Sequence, residues 1–312
     1  MALICNITEL KPGAPAVMTI GVFDGVHRGH QALIGQVGQR ARALKGLSVV
    51  LTFYPYPRAV LRPGTPVYEL TSQSDKQSLI AALGIDVVTT LTFSLELSLL
   101  TAAQFIDFLL QHVDLRELWV GPDFALGHGR EGTVERLSEL GAEHGFTVHT
   151  VTPIDSAGEH VSSSRIRELI SAGDVTQAAA LLGRYARIEG TVVAGDRRGR
   201  TLGFPTANLA VASNYLLPAN GIYAVFAELD GVHIPAVANI GVRPTFGVNA
   251  RLVEVYLLDF ERDIYGQRLG VSLVKRLRDE LRFDSVDELV VQMHRDVSEA
   301  RGVLADVVCC QT

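Results

Sequence analysis

The sequence predicts an α/β fold in two domains: a parallel-sheet, Rossmann-like domain, followed by a small β-barrel domain with a terminal helix. Three observations predict it. The chain has 312 residues, which is too many for one small core. Its first half alternates buried strands with amphipathic helices, and its second half alternates apolar and polar residues with a period of two. We therefore predict one domain over residues 1–183 and a second over 184–312.

The segments of the first half follow the order of a parallel sheet covered by helices. Thr101 and Gln104 have the spacing of a capping box, so a helix should begin there. The other predicted elements are strands at 16–23, 47–53, 86–93, 117–120 and 146–151, and helices at 31–44, 72–83 and 132–144.

The second half consists of short alternating runs that turn residues separate. Asp230-Gly231, between two such runs, is a good hairpin signal. Short strands with little helix between them favour a closed or nearly closed barrel. A final helix should begin near residue 284 or 285. The predicted strands are 188–193, 222–229, 233–240, 252–258 and 271–274.

The composition is that of an ordinary globular protein, with 47% hydrophobic and 20% charged residues. A net charge of -6 gives no overall attraction for nucleic acid or acidic membranes. Cys5, Cys309 and Cys310 show neither metal-binding spacing nor a disulfide framework. The sequence shows no signal peptide and no apolar run long enough to cross a bilayer. We expect a cytoplasmic protein that binds neither nucleic acid nor membrane.

The strongest local motif is Gly-Val-Phe-Asp-Gly-Val-His-Arg-Gly-His (21–30), between the first strand and the first helix. Open α/β sheets bind ligands at this position, and a helix N-terminus offers free amides to phosphate. Gly29 has no side chain that would keep a phosphate away from the helix start, and His27 and His30 share a helix face. The structural alternative is that one histidine caps the helix while the other packs. A zinc site is a weaker alternative, because no further ligand lies at suitable spacing.

A second motif, Val-Ser-Ser-Ser-Arg-Ile-Arg (161–167), precedes another helical segment. Serines suit the N-cap, but arginines are unfavourable in a first turn, where the helix dipole is positive. A bound anion would compensate for Arg165 and Arg167. The alternative is a solvated basic face.

The C-terminal half carries a loop rich in glycine and arginine, followed by Pro-Thr-Ala-Asn (205–208). It lacks the Gly-Lys-Ser/Thr of a Walker loop. Thr206 and Asn208 supply hard oxygen atoms, which suit Mg²⁺ that is also bound by phosphates and water. The alternative is a basic hairpin tip. The loop glycines are Gly195, Gly199 and Gly203, and the arginines are Arg197, Arg198 and Arg200.

Glu254 lies within an otherwise apolar predicted strand, on the face of Leu252, Tyr256 and Leu258. Because the opposite face is also apolar, we expect both faces to be covered. A buried carboxylate is costly unless it is paired or useful. The residues alone leave two roles open in equal measure: a general base for a substrate hydroxyl, or the ion-pair partner of an arginine.

The motifs at 21–30 and 162–167 resemble those of the nucleotidylyltransferase superfamily. More specifically, they resemble the N-terminal FMN adenylyltransferase domain of bacterial bifunctional FAD synthetases. The resemblance implies that His27 and His30 are catalytic and contact the ATP phosphates. Further matches are Thr-Phe-Tyr-Pro (52–55), Leu-Gly-Ile-Asp (83–86) and Val-Gly-Pro-Asp-Phe (120–124). The other implied ATP contacts are Gly21, Phe23, Asp24, Gly29, Ser163, Arg165 and Arg167. Of these, Ser163, Arg165 and Arg167 would hold the leaving pyrophosphate. The implied flavin contacts are Phe53 and Asp123.

Residues 183–301 resemble the riboflavin kinase domain of the same family, with matches at 199–208, 239–246 and 263–266. This resemblance implies that Glu254 is the base on the riboflavin 5′-hydroxyl and that Thr206 and Asn208 bind Mg²⁺. Three positions depart from the family pattern: Tyr56 and Tyr256 replace histidines, and Ala125 replaces a basic or aromatic residue. The implied ATP contacts are Gly195, Gly199, Arg200, Gly203, Pro205 and Thr206.

The two resemblances together imply FAD biosynthesis from riboflavin, with ATP as co-substrate. Riboflavin would be phosphorylated to FMN with release of ADP, and FMN adenylylated to FAD with release of pyrophosphate. One alternative is an adenylyltransferase for another phosphate monoester, such as phosphopantetheine, which leaves the second half unexplained. A flavin-binding sensor or oxidoreductase is an alternative of another class. The sequence leaves the oligomeric state open.

Overall fold

The computed structural model describes residues 2–152, 155–156, 159–195, 202–242 and 251–309. Contacts divide the chain into two compact units, Met1–Ser162 and Ser163–Thr312. The domain boundary at residue 183 stays a prediction. None of the described helices combines the length and the apolar character that a membrane span requires.

The first unit is built on a six-stranded parallel sheet, which confirms the predicted Rossmann-like architecture. Its strand order is β1-β4-β3-β2-β5-β6. The strands are β1 (Leu3–Cys5), β2 (Pro15–Ile20), β3 (Leu47–Tyr54), β4 (Val87–Thr92), β5 (Asp114–Val120) and β6 (Thr147–Thr150). The sequence pattern did not predict β1, because three edge-strand residues with exposed side chains at Leu3 and Ile4 give no periodicity to detect.

Helices cover both faces of this sheet. They are α1 (Arg28–Ala43), α2 (Pro57–Leu61), α3 (Gln73–Ala82), α4 (Leu95–Ser98), α5 (Ala102–Leu110) and α6 (Val134–His144). The predicted capping box is confirmed, since the Thr101 amide donates to Gln104 Oε1 and the Gln104 amide to Thr101 Oγ1. Short 3-10 turns occupy Ile7–Glu9, Asp24–Val26 and His128–Arg130, and a small hairpin pairs β7 (Asp155–Ser156) with β8 (Glu159–His160).

Alternation along the central strands divides the apolar core between the two faces of the sheet. Val17, Val50 and Val88 pack against α1 and α3. Met18 and Leu51, their neighbours in sequence, pack against α5 and α6. Because the central strands are covered on both faces, they are apolar throughout, as parallel strands usually are. The carboxyl ends of the strands therefore remain for a ligand.

The second unit is a closed antiparallel barrel, as predicted, with the strand order β10-β13-β12-β11-β14-β9. Its strands are β9 (Ala186–Val193), β10 (Ala207–Val211), β11 (Gly221–Leu229), β12 (Val232–Val242), β13 (Arg251–Leu257) and β14 (Arg268–Arg278); its helices are α7 (Ser163–Ala172), α8 (Val175–Leu182) and α9 (Val286–Cys309). The predicted hairpin is confirmed: Asp230 and Gly231 both have positive φ, as a type I′ turn requires. The five-residue strand β10 was not among the predicted strands.

The terminal helix α9 is fixed against the outside of the barrel. Ala300 and Leu304 pack on Ala224 and Val274 of the barrel wall. Towards the N-terminal part of the helix, the Arg278 guanidinium donates twice to the Asp296 carboxylate, at 2.8 and 2.6 Å, in a mostly buried pair. Such bidentate pairs fix geometry as well as adding energy. This part of α9 therefore stands at a defined distance from the barrel, and a cavity lies between them.

Candidate active sites

The glycine turn after β2 has a tight and partly strained backbone. Phe23 and Val26 adopt left-handed conformations, with φ of 50° and 40°. This conformation is costly for a β-branched residue and is typical of functional sites. A Cβ on Gly21 would lie 2.8 Å from the Phe23 ring, so only glycine fits there. The turn lies at the carboxyl end of β2, between the corresponding ends of β3 and β5.

Both histidines of the motif lie at the start of α1. The His27 Nδ1 atom accepts a hydrogen bond from the His30 amide, so His27 is the N-cap of the helix. This cap explains why α1 begins three residues before the predicted start. The two imidazole rings stack with centroids 3.6 Å apart, and the Phe23 ring meets His30 edge-on. A Cβ on Gly29 would lie 3.2 Å from the His27 ring, so this glycine also makes room for the cap.

The surroundings of His30 favour its neutral form. Burial, the adjacent His27 ring and the charge of Lys76 together hold the pKa of His30 well below its ordinary value. Its Nδ1 atom is buried and has no hydrogen-bond partner among the described residues. His27 therefore caps the helix, as the structural alternative predicted. His30 instead has a polar atom without a hydrogen-bond partner among the described residues, near the carboxyl ends of the strands. We call these strand ends the ligand edge of the sheet.

Asp24, predicted to contact ATP, is 2% exposed and fixes the turn. The Leu70 amide donates to its carboxylate at 3.0 Å. The Gly25 amide donates to Thr71 Oγ1 at 3.3 Å, which attaches the turn to the same segment. The bond from Leu70 gives Asp24 a structural role in holding the glycine turn.

The two predicted flavin contacts lie at the same edge of the sheet as the glycine turn. Phe53 is half-buried near the end of β3, and the Phe93 ring meets it edge-on at 5.8 Å. Asp123 follows β5 and is exposed. Because β2 lies between β3 and β5, the structure brings these residues to opposite sides of the turn.

The sequence analysis did not identify Lys76, whose side chain is fully buried at this edge. Its ammonium donates to the carbonyl oxygens of Val22 at 3.2 Å and Phe53 at 3.4 Å, and lies 5.1 Å from the centre of the Tyr56 ring. Burial lowers the pKa of Lys76 to about 8, against the opposing effect of nearby carboxylates. The available signal was the i,i+4 spacing from Lys76 to the buried Ile80, which puts both on the inner face of α3.

The predicted pyrophosphate contacts lie on α7, in the second unit. Ser163 is its first residue, and Arg165 and Arg167 follow in its first two turns. Arg165 Nη1 is 3.4 Å from Glu168 Oε2, in an exposed pair of the kind that contributes little to stability. The predicted anion at this helix start stays a prediction.

In the barrel unit, the structure brings Thr206, Asn208 and Glu254 together in one cavity of about 390 Å³, between the barrel wall and α9. Asn208, Glu254 and Asn239 are register partners on the adjacent strands β10, β13 and β12. Their side chains therefore share one face. Asn239 Nδ2 donates to Glu254 Oε2 at 3.4 Å. The sequence analysis missed a role for Asn239, which only the register reveals.

Glu254 has no ion-pair partner among the described residues. Arg278 lines the same cavity, but its guanidinium is held by Asp296. Leu252 and Tyr256 share the face of Glu254, as predicted, and both line the cavity; Leu258, predicted on the same face, lies beyond the end of β13 and does not line it. Within the described part of the chain, the contacts therefore favour the base over the ion-pair role.

A second cavity, of about 500 Å³, lies beside the first, and Thr206 lines both. Its wall includes Pro205 together with Phe260 and Tyr265. Gly195 is required nearby, because a Cβ there would overlap the Asn208 amide. Gly203 has a φ of 85°. Gly199 and Arg200, two of the predicted ATP contacts, lie outside the described residues. The loop arginines Arg197 and Arg198 also lie outside them.

One of the departures from the family pattern, Tyr256, belongs to an aromatic group at the first cavity. The Phe204 ring meets Tyr256 at 5.3 Å and His294 of α9 at 5.0 Å, both edge-on. A second departure, Tyr56, is 5% exposed, and its ring centre lies 5.1 Å from the Lys76 Nζ atom.

The open edge of a parallel sheet and the two adjacent cavities of a closed barrel give the chain candidate sites in both units. The FAD synthetase family matches residues 11–165, and the Riboflavin kinase family matches residues 182–304. The chain is 39% identical over 308 residues to a bifunctional riboflavin kinase/FMN adenylyltransferase of Pseudomonas fluorescens, covering 98% of each protein. It is 38% identical over 293 residues to the protein of that name from Bacillus subtilis, covering 92% of each. The chain belongs to the bifunctional riboflavin kinase/FMN adenylyltransferase family.

The fold of the whole chain also matches a solved structure. A crystal structure described as a macrolide-efflux protein from Streptococcus pneumoniae superposes with a TM-score of 0.88 and 32% identity. The match covers 95% of this chain and 97% of that one. Efflux is a description of that protein alone. Family membership confirms the enzyme class and the function predicted from the sequence: FAD biosynthesis through a kinase and an adenylyltransferase step.

Proposed function

We propose that the barrel unit phosphorylates riboflavin to FMN and that the sheet unit adenylylates FMN to FAD, each with the residues described above. The proposal rests on one observation. Glu254, Asn208 and Thr206 line one cavity, and Thr206 also lines a second cavity beside it. A transfer between two substrates needs two adjacent pockets with the reacting groups at their boundary.

In the kinase step, riboflavin occupies the cavity beside Glu254 and ATP occupies the neighbouring one. Hydroxyls are weak nucleophiles, so the 5′-hydroxyl needs a base. Glu254 accepts its proton while the hydroxyl oxygen bonds to the γ-phosphorus of ATP. The bond from that phosphorus to the bridging oxygen breaks, and ADP leaves. The hydrogen bond from Asn239 holds the Glu254 carboxylate in place.

The cavity boundary also suits Mg²⁺. The Asn208 Oδ1 atom is buried and has no hydrogen-bond partner among the described residues. This amide oxygen and the Thr206 hydroxyl, in residues that line the same cavity, are hard oxygens of the kind that Mg²⁺ uses together with phosphate and water. When bound there, the ion offsets the negative charge of the ATP phosphates. The described residues hold no cluster of three or more His, Cys, Asp or Glu suited to a metal.

In the adenylylation step, the FMN phosphate is itself the nucleophile. It is already ionised, so no base is required, and catalysis depends on positioning and charge stabilisation. An FMN phosphate oxygen bonds to the α-phosphorus of ATP, and pyrophosphate leaves. His27, His30 and the backbone amides of the turn stabilise the α-phosphate. Phe53 and Asp123 contact the flavin. Ser163, Arg165 and Arg167 stay the pyrophosphate contacts that the family resemblance implies.

The test is product analysis after incubation of the protein with riboflavin, ATP and Mg²⁺. We expect FMN first and FAD later, with one ADP released per riboflavin phosphorylated and one pyrophosphate per FAD formed. FMN without FAD would mean that the sheet unit is inactive, and the departures at Tyr56 and Ala125 would be the first positions to revert to the family pattern. Conversion of phosphopantetheine but not FMN would favour another adenylyltransferase. A yellow protein without ATP turnover would favour a flavin sensor. No conversion of either flavin would refute the proposal.

A further inference from the structure

The buried ammonium of Lys76 requires an explanation. Lysine is almost never fully buried, because removing its charge from water is costly unless other groups compensate. Lys76 lies in the middle of α3, next to the buried Ile80, at a position where an apolar side chain would fill the same core. The proposed adenylylation mechanism gives Lys76 no role, although its side chain reaches the ligand edge of the sheet.

The two hydrogen bonds of Lys76 join the ends of two neighbouring strands. Val22, whose carbonyl it binds, belongs to the glycine turn after β2; Phe53 lies near the end of β3. β2 and β3 are paired in parallel up to Ile20 and Leu51, and the Gly21 amide donates one further bond to the Leu51 carbonyl at 3.0 Å. The Val22 carbonyl also accepts a bond from Thr52 Oγ1 at 3.1 Å. Lys76 therefore connects the proposed ATP side of the site to the proposed flavin side.

The charges around Lys76 explain how the ammonium is tolerated there. Asp24 and Glu69 act on it electrostatically and favour its charged form. The Tyr56 ring lies below it, at a distance suited to a cation–π contact. On the other side, its charge helps to keep His30 neutral, together with burial and His27. Lys76 thus interacts electrostatically with both buried carboxylates and with His30.

We propose that Lys76 is a positioning residue for FMN adenylylation: its ammonium holds the glycine turn and the end of β3 at a fixed separation, so that ATP and FMN meet in reacting geometry. This inference rests on the proposed function of the sheet unit. A displacement of about 1 Å between reacting groups costs roughly 10²-fold in rate. Lys76 itself touches neither substrate in this role.

The test is the kinetics of Lys76→Met and Lys76→Arg, with Lys11→Met as the matched control at an exposed lysine. In Lys76→Met, we expect kcat for FAD formation from FMN to fall roughly 10- to 100-fold, with KM for ATP changed less than about threefold. Lys76→Arg should recover part of this loss, and Lys11→Met should match wild type. Riboflavin phosphorylation should be unchanged in all three, because it occurs in the other unit.

A purely structural role predicts a different result. Trp119, the only tryptophan of the chain, lies on β5, so its fluorescence reports the folding of the sheet unit. A structural lysine would lower the stability reported by Trp119 and leave kcat per folded molecule unchanged. A folded Lys76→Met with kcat within threefold of wild type overturns the proposal. A wild-type protein that makes no FAD would instead refute the proposed function.

The pH profile of kcat for FAD formation tests the positioning role even if Lys76→Met does not fold. Since the pKa of Lys76 is about 8, its ammonium is charged below that pH and loses its charge above it. Wild-type kcat for FAD formation should therefore fall as the pH rises through about 8. Arginine stays charged, so Lys76→Arg should keep its activity to higher pH. A wild-type rate that does not change between about pH 7 and 9.5, or the same fall in Lys76→Arg, overturns the proposal.

Discussion

Replacing Glu254 with glutamine separates a catalytic base from a structural carboxylate. Glutamine keeps the length of the side chain and an acceptor oxygen for Asn239 Nδ2, but it removes the basic oxygen. If Glu254 takes the proton from the riboflavin hydroxyl, phosphorylation should fall by roughly 10²–10⁴. Binding of riboflavin should change little, because the apolar walls of the cavity remain.

The structure also sets the expected change in stability. The one described hydrogen bond of Glu254 is the 3.4 Å contact from Asn239, which is long for such a bond. A hydrogen bond contributes about 0.5–1.5 kcal/mol, and glutamine can still accept it. The free energy of unfolding should therefore change by less than about 1 kcal/mol. A broken buried ion pair would cost about 3–5 kcal/mol instead.

Rate and stability are measured on the same samples. ADP release in the presence of riboflavin gives the kinase rate, and FAD formation from supplied FMN shows that the sheet unit still works. Glu228→Gln is the matched control: Glu228 lies on β11 and pairs with Arg187 at 3.3 Å, and it does not line the cavity. A stable Glu254→Gln protein that phosphorylates riboflavin at a near wild-type rate would refute both roles, and with them the proposed site.

Two further predictions concern the donors and the metal. His30→Ala should lower FAD formation from FMN by about 10²–10³, as the loss of one transition-state donor does, and leave riboflavin phosphorylation intact; a loss below about threefold would show that His30 only packs. Asn208→Ala should raise the Mg²⁺ concentration that gives half the maximal kinase rate by at least about tenfold, because one oxygen ligand is gone. An unchanged Mg²⁺ titration would remove Asn208 from the metal site.

The sequence was sufficient where a pattern repeats along the chain. Period-two alternation predicted the barrel, and it placed Glu254 on the face that the structure shows lining a cavity. Helix starts were less predictable, because the N-cap of α1 is His27, which is not among the common capping residues. Lys76 and Asn239 were missed for a different reason. Their roles depend on neighbours that are distant in sequence: the ends of β2 and β3 for Lys76, and strand register for Asn239.

The proposed chemistry explains why the two units place their carboxylates differently. A hydroxyl nucleophile needs a base, and Glu254 lines its cavity without an ion-pair partner among the described residues, since Arg278 in the same cavity is paired with Asp296. A phosphate nucleophile needs no base, and a carboxylate directed at the ATP phosphates would repel them. In the sheet unit, Asp24 is turned inward to the Leu70 amide, and the charge of Lys76 lies close enough to act on both Asp24 and Glu69. The ammonium then has a second effect besides positioning: it offsets two buried negative charges at an edge that has to bind anions.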